Sequence, residues 1–415
     1  MAVKGVRNSL TRPELTFKHN LFSGRHGWLR LTPAYSVRLV ERILAQHPER
    51  GSILDPFSGT GTTALCASAR GLTAASVDIN PFLVWLGTAK TAVYDDETLH
   101  RARQAAGETA SLIEKKQVKP AEPPPISNIG RWWGEGCLSY LCYLKAAIDG
   151  RTEPDSHVRN LLYVAFCRTL IQLSNAAFNH QSMSFKRAVG EDQSRLWSDA
   201  AWQRMVFESN CATVLNSAAQ NPVAEARFIL GDAREIDKCL NTAYDLVVTS
   251  PPYPNRVSYI RELRPYMYWL GYLRDPRQAG ELDCRAVGGT WGVATSRLAQ
   301  WDRTQSSYLP SFLRQLISKV ERANRKSGHL LANYIAKYFD DVWKHVRAIR
   351  SVLESGATVH YIVGNAKFYD TLVPTERLYA DILAEAGFEK PQITLVRKRN
   401  SKKELFEFDV SAVLP

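Results

Sequence analysis

The sequence predicts an α/β fold in which helices cover both faces of a doubly wound parallel sheet. Two short apolar segments at residues 52–54 and 74–78 have the composition of buried strands, and a helix-forming segment that opens near Thr62 separates them. A strand, a helix and a parallel strand in this order begin a doubly wound sheet. Further segments of strand composition continue the sheet at residues 227–230, 246–248 and 358–363.

A helix before the first strand and a hairpin after the last one complete the predicted sheet. Leu39, Val40 and Ile43 recur at helical spacing, so residues 33–46 are predicted to form an amphipathic helix. Residues 392–397 and 407–413 flank a basic turn, and this pattern predicts a hairpin.

Two segments interrupt the sheet pattern. The first has helical spacing of apolar residues on both sides of a proline cluster and is predicted to be a helical insertion. The second interleaves arginines with aromatic residues. The predicted layout is a sheet domain in three parts, 1–94, 226–260 and 327–415, with the helical insertion at 95–225 and the arginine- and aromatic-rich segment at 261–326.

Composition restricts the class of protein. The chain has 415 residues, of which 45% are hydrophobic, so it is long enough to bury a large core. Its formal net charge is +12, which favours a polyanionic partner such as nucleic acid over the alternative of a basic enzyme whose charge has another origin. The seven cysteines lack C-x-x-C spacing and nearby histidines, which argues against a metal site and a disulfide framework.

No signal peptide or membrane span is predicted either. The first 20 residues lack an apolar core, and no later stretch approaches the roughly 18 apolar residues that a span requires. We therefore expect a cytoplasmic protein.

A glycine-containing turn follows the first strand, within the sequence DPFSGTGT at residues 55–62. Gly59 and Gly61 remove side chains where a ligand must approach the backbone, and no lysine follows them, which excludes a phosphate-binding loop. The alternative is a tight turn with a structural role only. Asp78 ends the second strand, where its carboxylate can accept hydrogen bonds from ribose hydroxyls.

Two more side chains complete this predicted adenosyl site. Asp232 ends the third strand and can accept a hydrogen bond from an adenine amino group, and Phe57 offers a ring face to the ligand. For a single strand-end aspartate, the alternative is a helix cap or a loop anchor.

A second motif follows the strand at residues 246–248. It is the sequence SPPY at residues 250–253, called the SPPY segment below. The Ser250 hydroxyl and the Pro251 carbonyl can accept the two hydrogens of an aromatic amino group, and Pro252 helps to fix the backbone. Tyr253 can stack on an extruded base. The alternative is a strand end followed by a proline turn.

Together, the two motifs resemble the signature motifs of S-adenosylmethionine-dependent DNA amino-methyltransferases. The resemblance implies a Rossmann-like methyltransferase sheet in which S-adenosylmethionine lies across Phe57, Gly59 and Gly61, with Asp78 on the ribose. Asp55 and Thr62 belong to the same motif. Residues 27–33 resemble the amino-terminal cofactor element of the family, which implies that Thr32 contacts the methionine end.

The family resemblance also implies the reaction. A serine at the first position of the SPPY segment goes mostly with cytosine-N4 methylation, whereas aspartate or asparagine goes mostly with adenine-N6 methylation. We expect a site-specific methyltransferase that flips cytosine out of double-stranded DNA. Methylation of adenine N6, of RNA or of protein glutamine, and a regulatory binder without catalysis, are the alternatives. A cognate restriction or defence-system protein is a possible partner.

The DNA contacts are predicted in two segments of the chain. Arg256, Arg261 and Arg264 follow the SPPY segment among aromatic rings, a mixture suited to phosphate contacts and base stacking. Lys186 and Arg187 are predicted to contribute. The alternative is a lid whose arginines are solvated. The helical insertion lies between the second and third strands, whereas the recognition insertion of one related class lies after the third.

Overall fold

A seven-stranded mixed sheet organises the molecule. The computed structural model describes residues 14–31, 34–177, 184–185, 199–290, 293–399 and 404–415. The strands of the sheet, labelled in chain order, are β1 (Ser52–Asp55), β2 (Thr73–Asp78), β3 (Ala226–Leu230), β4 (Tyr244–Thr249), β5 (Leu353–Gly364), β6 (Glu389–Lys398) and β7 (Phe406–Val413).

The strand order across the sheet is β6-β7-β5-β4-β1-β2-β3. The pairs β1–β2, β1–β4, β2–β3 and β4–β5 are parallel, whereas β7 pairs antiparallel with both β5 and β6. The chain moves outward in one direction from β1 to β3 and in the other from β4 onward. This reversal between β1 and β4 is the topological switch point, the position at which open α/β sheets bind ligands.

Helices cover both faces of the sheet and form the insertion. They are α1 (Val37–Gln46), α2 (Thr62–Ala69), α3 (Pro81–Thr91), α4 (Asp96–Glu114), α5 (Glu135–Arg151), α6 (His157–Gln172), α7 (Ala200–Ala218), α8 (Tyr259–Trp269), α9 (Pro276–Arg285), α10 (Val293–Gln300), α11 (Ser311–Ala323), α12 (Gly328–Ile349) and α13 (Thr375–Glu385). The fold predicted from the sequence, a doubly wound Rossmann-like sheet with a helical insertion, is therefore confirmed.

The core follows the alternation of side chains along the strands. In β1, Ile53 packs with α1 and α2 on one face, while Leu54 packs with α11, α12 and α13 on the other. In β4, Val247 and Val248 divide between the same two faces. Because both faces are covered, β1 and the middle of β4 are apolar at successive positions.

The helical insertion has its own apolar core, which is continuous with two other helices. Buried residues of α4 to α7 pack with Phe82 of α3 and with Tyr266 and Trp269 of α8. Trp133 meets Trp269 edge to face, with ring centroids 5.8 Å apart. The insertion and the helix that follows the SPPY segment are therefore packed together as one layer beside the sheet.

A close contact joins β3 to the helix layer below the glycine turn. The ring of Phe228 lies so close to Gly87 of α3 that a Cβ atom at that glycine would be 2.1 Å from Cε1 of the ring. The same ring lies 3.2 Å from the position of a Cβ at Gly61. These glycines let the start of α2 and the middle of α3 pack on one aromatic ring.

We predict that Gly87→Ala destabilises the protein by about 1–3 kcal/mol, because the added methyl group overpacks a rigid contact. Chemical denaturation measures the change. Gly107→Ala is the matched control: Gly107 lies inside α4 with open space around it, so alanine should stabilise the helix by about 0.5–1 kcal/mol. Equal stabilities of the two variants would contradict the contact, and Phe228→Leu should restore part of the loss in Gly87→Ala.

Candidate active site

The two sequence motifs meet at one edge of the sheet. β1 and β4 are parallel neighbours, with Leu54 opposite Val247. The hydroxyl of Thr249 at the end of β4 donates a hydrogen bond of 2.6 Å to Oδ1 of Asp55 at the end of β1. The glycine turn (residues 58–61) follows one of these ends and the SPPY segment follows the other, so both lie at the switch point.

The glycine turn has a backbone that favours glycine at two positions. Gly59 has a φ of +50° and Gly61, which precedes α2, has a φ of +73°. The amide of Ser58 donates to the carbonyl of Val77, which ties the turn to β2. A Cβ at Gly59 would meet only the carbonyl oxygen of Phe57, at 3.8 Å. The space above Gly59 is thus open to a ligand.

Asp78 connects the end of β2 to the glycine turn. Its Oδ2 accepts a hydrogen bond of 2.8 Å from the amide of Gly59, and its Oδ1 accepts one of 2.9 Å from the amide of Asn80. Burial raises the pKa of this carboxyl to about 7, although the two amide hydrogen bonds act in the opposite direction. The Asp78 carboxylate therefore holds the glycine turn in place. It lies at the carboxyl end of β2, the end at which open α/β sheets bind ligands.

Polar atoms without partners lie beside the turn. Oδ1 of Asp55 accepts hydrogen bonds from Thr249 and from the amide of Phe57. Among the described residues, Oδ2 of Asp55 and the hydroxyl of Ser58 are buried and have no hydrogen-bond partner. Burial raises the pKa of Asp55 to about 6. Buried polar groups are rarely left unpaired, so these atoms fit a site whose polar ligand completes the hydrogen bonding.

Three further residues are predicted to contact the cofactor: Phe57, Thr62 and Thr32. The ring of Phe57 is partly buried and contacts the ring of His345 edge to face at 4.8 Å. Thr62 is buried at the start of α2, where its hydroxyl lies 3.0 Å from that of Thr60. Thr32 lies outside the described residues.

Asp232 follows β3 and is engaged by an arginine. Both of its carboxylate oxygens accept hydrogen bonds from the guanidinium of Arg234, at 3.0 and 2.6 Å. Arg234 also pairs with Asp341 of α12 at 2.8 Å. The contact of Asp232 with an adenine amino group stays a prediction, and it would use a lone pair that Arg234 leaves available.

Sequence reasoning missed several residues that support the glycine turn. Tyr35 and Thr63 share a buried hydrogen bond between their hydroxyls, and the hydroxyl of Thr63 also donates to the carbonyl of Val248. Lys90 of α3 is buried, and its ammonium donates to the carbonyl of Thr60 at 3.0 Å. Burial lowers the pKa of Lys90 to about 7. A lysine in an otherwise apolar helix was the available signal.

The SPPY segment is held by hydrogen bonds to β5, α12 and β7. The hydroxyl of Ser250 donates to the carbonyl of Ile362 at 3.1 Å. The lone pairs of the Ser250 oxygen therefore point away from that carbonyl. The carbonyl of Pro252 accepts a hydrogen bond of 2.7 Å from Tyr338. The hydroxyl of Tyr253 donates to Oε1 of Glu407 at 2.8 Å. Burial raises the pKa of Tyr253 well above its usual value, so its phenol stays protonated.

The ring of Tyr253 has two further neighbours. The guanidinium of Arg399 lies over the ring, with Cζ 5.1 Å from the centroid. A Cβ at Gly364, the last residue of β5, would be 2.8 Å from Cδ2 of the ring, so only glycine allows this approach. A base that stacks on the face under Arg399 must displace the guanidinium.

The arginine- and aromatic-rich segment has a different arrangement from the predicted one. Arg256 and Arg261 are exposed, while Arg264 is partly buried and its Nε donates to the carbonyl of Arg261. Tyr266, Tyr268 and Trp269 are buried against the helical insertion. The prediction of base stacking by these three rings, which the mixture of arginines and aromatic residues suggested, is therefore wrong, because the rings form core. Lys186 and Arg187 lie outside the described residues.

The chain is similar in sequence to three curated type II methyltransferases. It is 23% identical to M.BsoBI of Geobacillus stearothermophilus, over 96% of this chain and 86% of that protein. It is 20% identical to M.MvaI of Kocuria varians, over 91% and 83%. It is 22% identical to M.AvaI of a Nostoc strain, over 96% and 87%. No protein-family model matches the chain.

Among solved structures, the chain is similar to the rRNA methyltransferase AviRa of Streptomyces viridochromogenes. The identity is 12%, the match covers 92% of this chain and 86% of that one, and the TM-score is 0.28. This score is too low to relate the two folds, so the fold assignment rests on the strand order of the sheet itself.

Within the ranges described above, no helix combines the length and the apolar character that crossing a membrane requires. The same ranges contain no group of three or more His, Cys, Asp or Glu side chains that could hold a metal ion.

The raised pKa of Asp78 gives a prediction for stability. A carboxyl whose pKa is higher in the folded than in the unfolded protein favours folding when protonated, and that contribution is lost as the pH rises through about 7. Between pH 4 and pH 8 the natural protein should therefore lose roughly 1–4 kcal/mol more of its stability than Asp78→Asn does. Each protein is compared with its own stability at pH 4, because the asparagine amide nitrogen cannot accept one of the two backbone hydrogen bonds at any pH. Denaturation at several pH values measures the two losses.

Asp245→Asn is the matched control. Asp245 also accepts hydrogen bonds from two backbone amides, those of Gly51 and Ser52, but it lies at the other end of the sheet. This variant should show no such gain relative to the natural protein between pH 4 and pH 8. An equal fall in the stability of Asp78→Asn and of the natural protein over this range would show that the charge at Asp78 is not unfavourable.

Proposed function

We propose that this protein is a site-specific DNA methyltransferase that methylates the N4 amino group of a cytosine flipped out of double-stranded DNA. The observation that carries the proposal is the Thr249–Asp55 hydrogen bond, which joins the strand ends that bear the glycine turn and the SPPY segment. A methyl donor bound at the glycine turn and a methyl acceptor bound at the SPPY segment would therefore be neighbours. The relatives named type II methyltransferase support DNA as the substrate.

S-adenosylmethionine is the methyl donor that the fold and the methyltransferase relatives imply. It supplies a methyl group on a positively charged sulfur, which a weak nucleophile can attack. The residues fit this cofactor: Gly59 leaves open space, Oδ2 of Asp55 and the Ser58 hydroxyl are unpaired, and the Asp78 carboxylate can accept ribose hydroxyl hydrogens. The proposed cofactor site consists of Asp55, Phe57, Gly59, Gly61 and Asp78, together with Thr32, Thr62 and Asp232.

The SPPY segment would orient the target amino group. The nitrogen lone pair of a cytosine amino group is delocalised into the ring, so attack requires the nitrogen to become tetrahedral. Ser250 donates its own hydrogen to Ile362, which leaves oxygen lone pairs for one amino hydrogen. The carbonyl of Pro251 accepts the other, and the hydrogen bond from Tyr338 to Pro252 holds the segment in place before reaction.

Tyr253 would stack on the flipped base. Its hydroxyl is fixed by Glu407 and its ring is flanked by Gly364, so the ring is oriented before DNA binds. Arg399 covers the ring in the absence of a base and would move aside on binding. An extruded base exchanges its stacking in the duplex for stacking on this ring.

DNA binding would depend on the basic character of the chain. The net charge of +12 favours the phosphate backbone. Arg256 and Arg261 are exposed next to the SPPY segment and are proposed phosphate contacts, with Arg264, Lys186 and Arg187 as further contributors. In the proposed layout, residues 261–326 face the DNA and residues 95–225 form a supporting insertion of the sheet domain.

The names of the relatives also suggest a biological setting. On the strength of these names, we propose a role in restriction–modification or a related defence system, in the cytoplasm, with a cognate restriction or defence-system protein as partner. The alternative base is adenine, methylated at N6, since the same geometry presents either amino group to the donor.

One experiment identifies the reaction. Purified protein is incubated with double-stranded DNA and S-adenosylmethionine that carries a labelled methyl group, and the DNA is digested to nucleosides and analysed by mass spectrometry. We expect N4-methylcytosine. N6-methyladenine would replace the proposed base, and an absence of label in DNA, with label in RNA or protein, would refute the proposal.

We predict that Ser250→Ala and Tyr253→Ala each lower the single-turnover methylation rate by about 100-fold or more, because they remove an amino acceptor and the stacking ring. Their affinity for S-adenosylmethionine, measured by calorimetry, should stay near that of the natural protein. Asp78→Ala should instead lower mainly the affinity for S-adenosylmethionine. Equal losses of cofactor affinity in all three variants would contradict this division of roles.

A further inference from the structure

We propose that Glu407 is a positioning residue that orients Tyr253 and thereby the platform for the flipped base. This inference rests on the proposed function, because it concerns the same base site. It assigns a role to the β6–β7 hairpin, which lies far from both sequence motifs along the chain but contacts the SPPY segment in the fold.

The contact between Glu407 and Tyr253 is buried and direct. Oε1 of Glu407 accepts the hydrogen bond of 2.8 Å from the Tyr253 hydroxyl, and the side chain of Glu407 is only 5% exposed. Arg397 of β6 holds the same carboxylate through Nε at 2.7 Å and Nη2 at 3.1 Å. Arg397 and Glu407 are also directly opposed in the β6–β7 ladder. The acceptor is therefore fixed in position.

This arrangement restricts the ring of Tyr253 in two ways. The hydroxyl lies on the axis of the last side-chain torsion, so its bond to Glu407 fixes where the ring points but allows the ring to turn about that axis. Gly364 at the ring edge and Arg399 over the ring limit that turning. Glu407 of β7 stands directly opposite Gly364 of β5 in the sheet. The residue that fixes the direction of the ring and a residue that limits its turning are therefore neighbours.

A purely structural role is the competing explanation. A buried ion pair is weak evidence for stability, since apolar residues of the same volume often replace such a pair without loss. Glu407 also accepts the hydrogen bond of the Tyr253 hydroxyl at the proposed site. If an apolar pair replaced Arg397 and Glu407, that hydroxyl would be left without an acceptor. The geometry thus favours a role that acts through Tyr253.

The chain contains a matched control on the same strand. Asp409 lies two residues beyond Glu407, so both side chains are on the same face of β7. Its carboxylate contacts Nδ1 of His360 at 3.0 Å, away from the SPPY segment. A change at Asp409 removes a similar half-buried pair from β7 without touching Tyr253.

The test combines Tyr253→Phe, Glu407→Ala, Glu407→Gln, Asp409→Asn and the double variant Tyr253→Phe with Glu407→Ala. Single-turnover methylation of DNA is measured well below the melting temperature of each variant. Base extrusion is followed by the fluorescence of 2-aminopurine placed at the target position. Cofactor affinity is measured in parallel.

We expect Tyr253→Phe and Glu407→Ala each to lower the methylation rate and the extrusion signal by roughly 10-fold or more, because misplacement of a positioning group by about 1 Å can cost up to 100-fold. Cofactor affinity should not change. The double variant should be no slower than the slower single variant. Glu407→Gln keeps an acceptor for the hydroxyl and should retain most of the rate, as should Asp409→Asn.

Several outcomes would overturn the inference. A normal rate in Tyr253→Phe or in Glu407→Ala would show that the hydrogen bond does not position the ring. Losses that multiply in the double variant, or an equal loss in Asp409→Asn, would indicate a general effect on β7. Failure of the natural protein to methylate DNA would refute the proposed function as well, whereas an active natural protein with an unaffected Tyr253→Phe refutes this inference alone.

Discussion

The hydrogen bond from Thr249 to Asp55 is the constraint on which the candidate site depends. It joins the carboxyl ends of β4 and β1, the two strands between which the sheet reverses its order. Because Asp55 also accepts from the amide of Phe57, one carboxylate oxygen fixes the start of the glycine turn relative to the start of the SPPY segment. Strand pairing sets the distance between β1 and β4. The bond between Thr249 and Asp55 additionally sets the directions in which the glycine turn and the SPPY segment leave the sheet.

The site is held together by groups that are unfavourable for stability. Asp55 is buried and Asp78 is partly buried, and removal of each carboxyl from water raises its pKa, to about 6 and about 7. A buried lysine, Lys90, donates a hydrogen bond to the glycine turn. A protein selected only for stability would replace these side chains with neutral or apolar ones. Their concentration around one turn, together with the unpaired hydroxyl of Ser58, is what a site with a polar ligand requires.

Local sequence patterns predicted those parts of the fold that depend on near neighbours. The strand, turn and helix around Gly59 could be predicted, because the apolar run, the glycines and the start of α2 are adjacent in the chain. Contacts between distant segments could not: nothing near Glu407 indicates that it lies beside Tyr253, and nothing near Tyr35 indicates Thr63. The prediction of base stacking by Tyr266, Tyr268 and Trp269 was wrong for the same reason. These rings belong to a basic segment, but they are covered by residues of the helical insertion, a separate segment earlier in the chain.

The mixed character of the sheet explains how its last strands reach the site. β6 pairs with β7 at the side of the sheet, and its carboxyl end lies at the same end of the sheet as those of the parallel strands, so Arg399, which follows β6, lies there. β7 then runs antiparallel, which brings its first residues, and not its last, to this end of the sheet. Glu407 is the second residue of β7 and stands opposite Gly364, the last residue of β5. A parallel β7 would need a crossover and would present its other end, so the antiparallel insertion of β7 between β5 and β6 is what allows the hairpin to contact Tyr253.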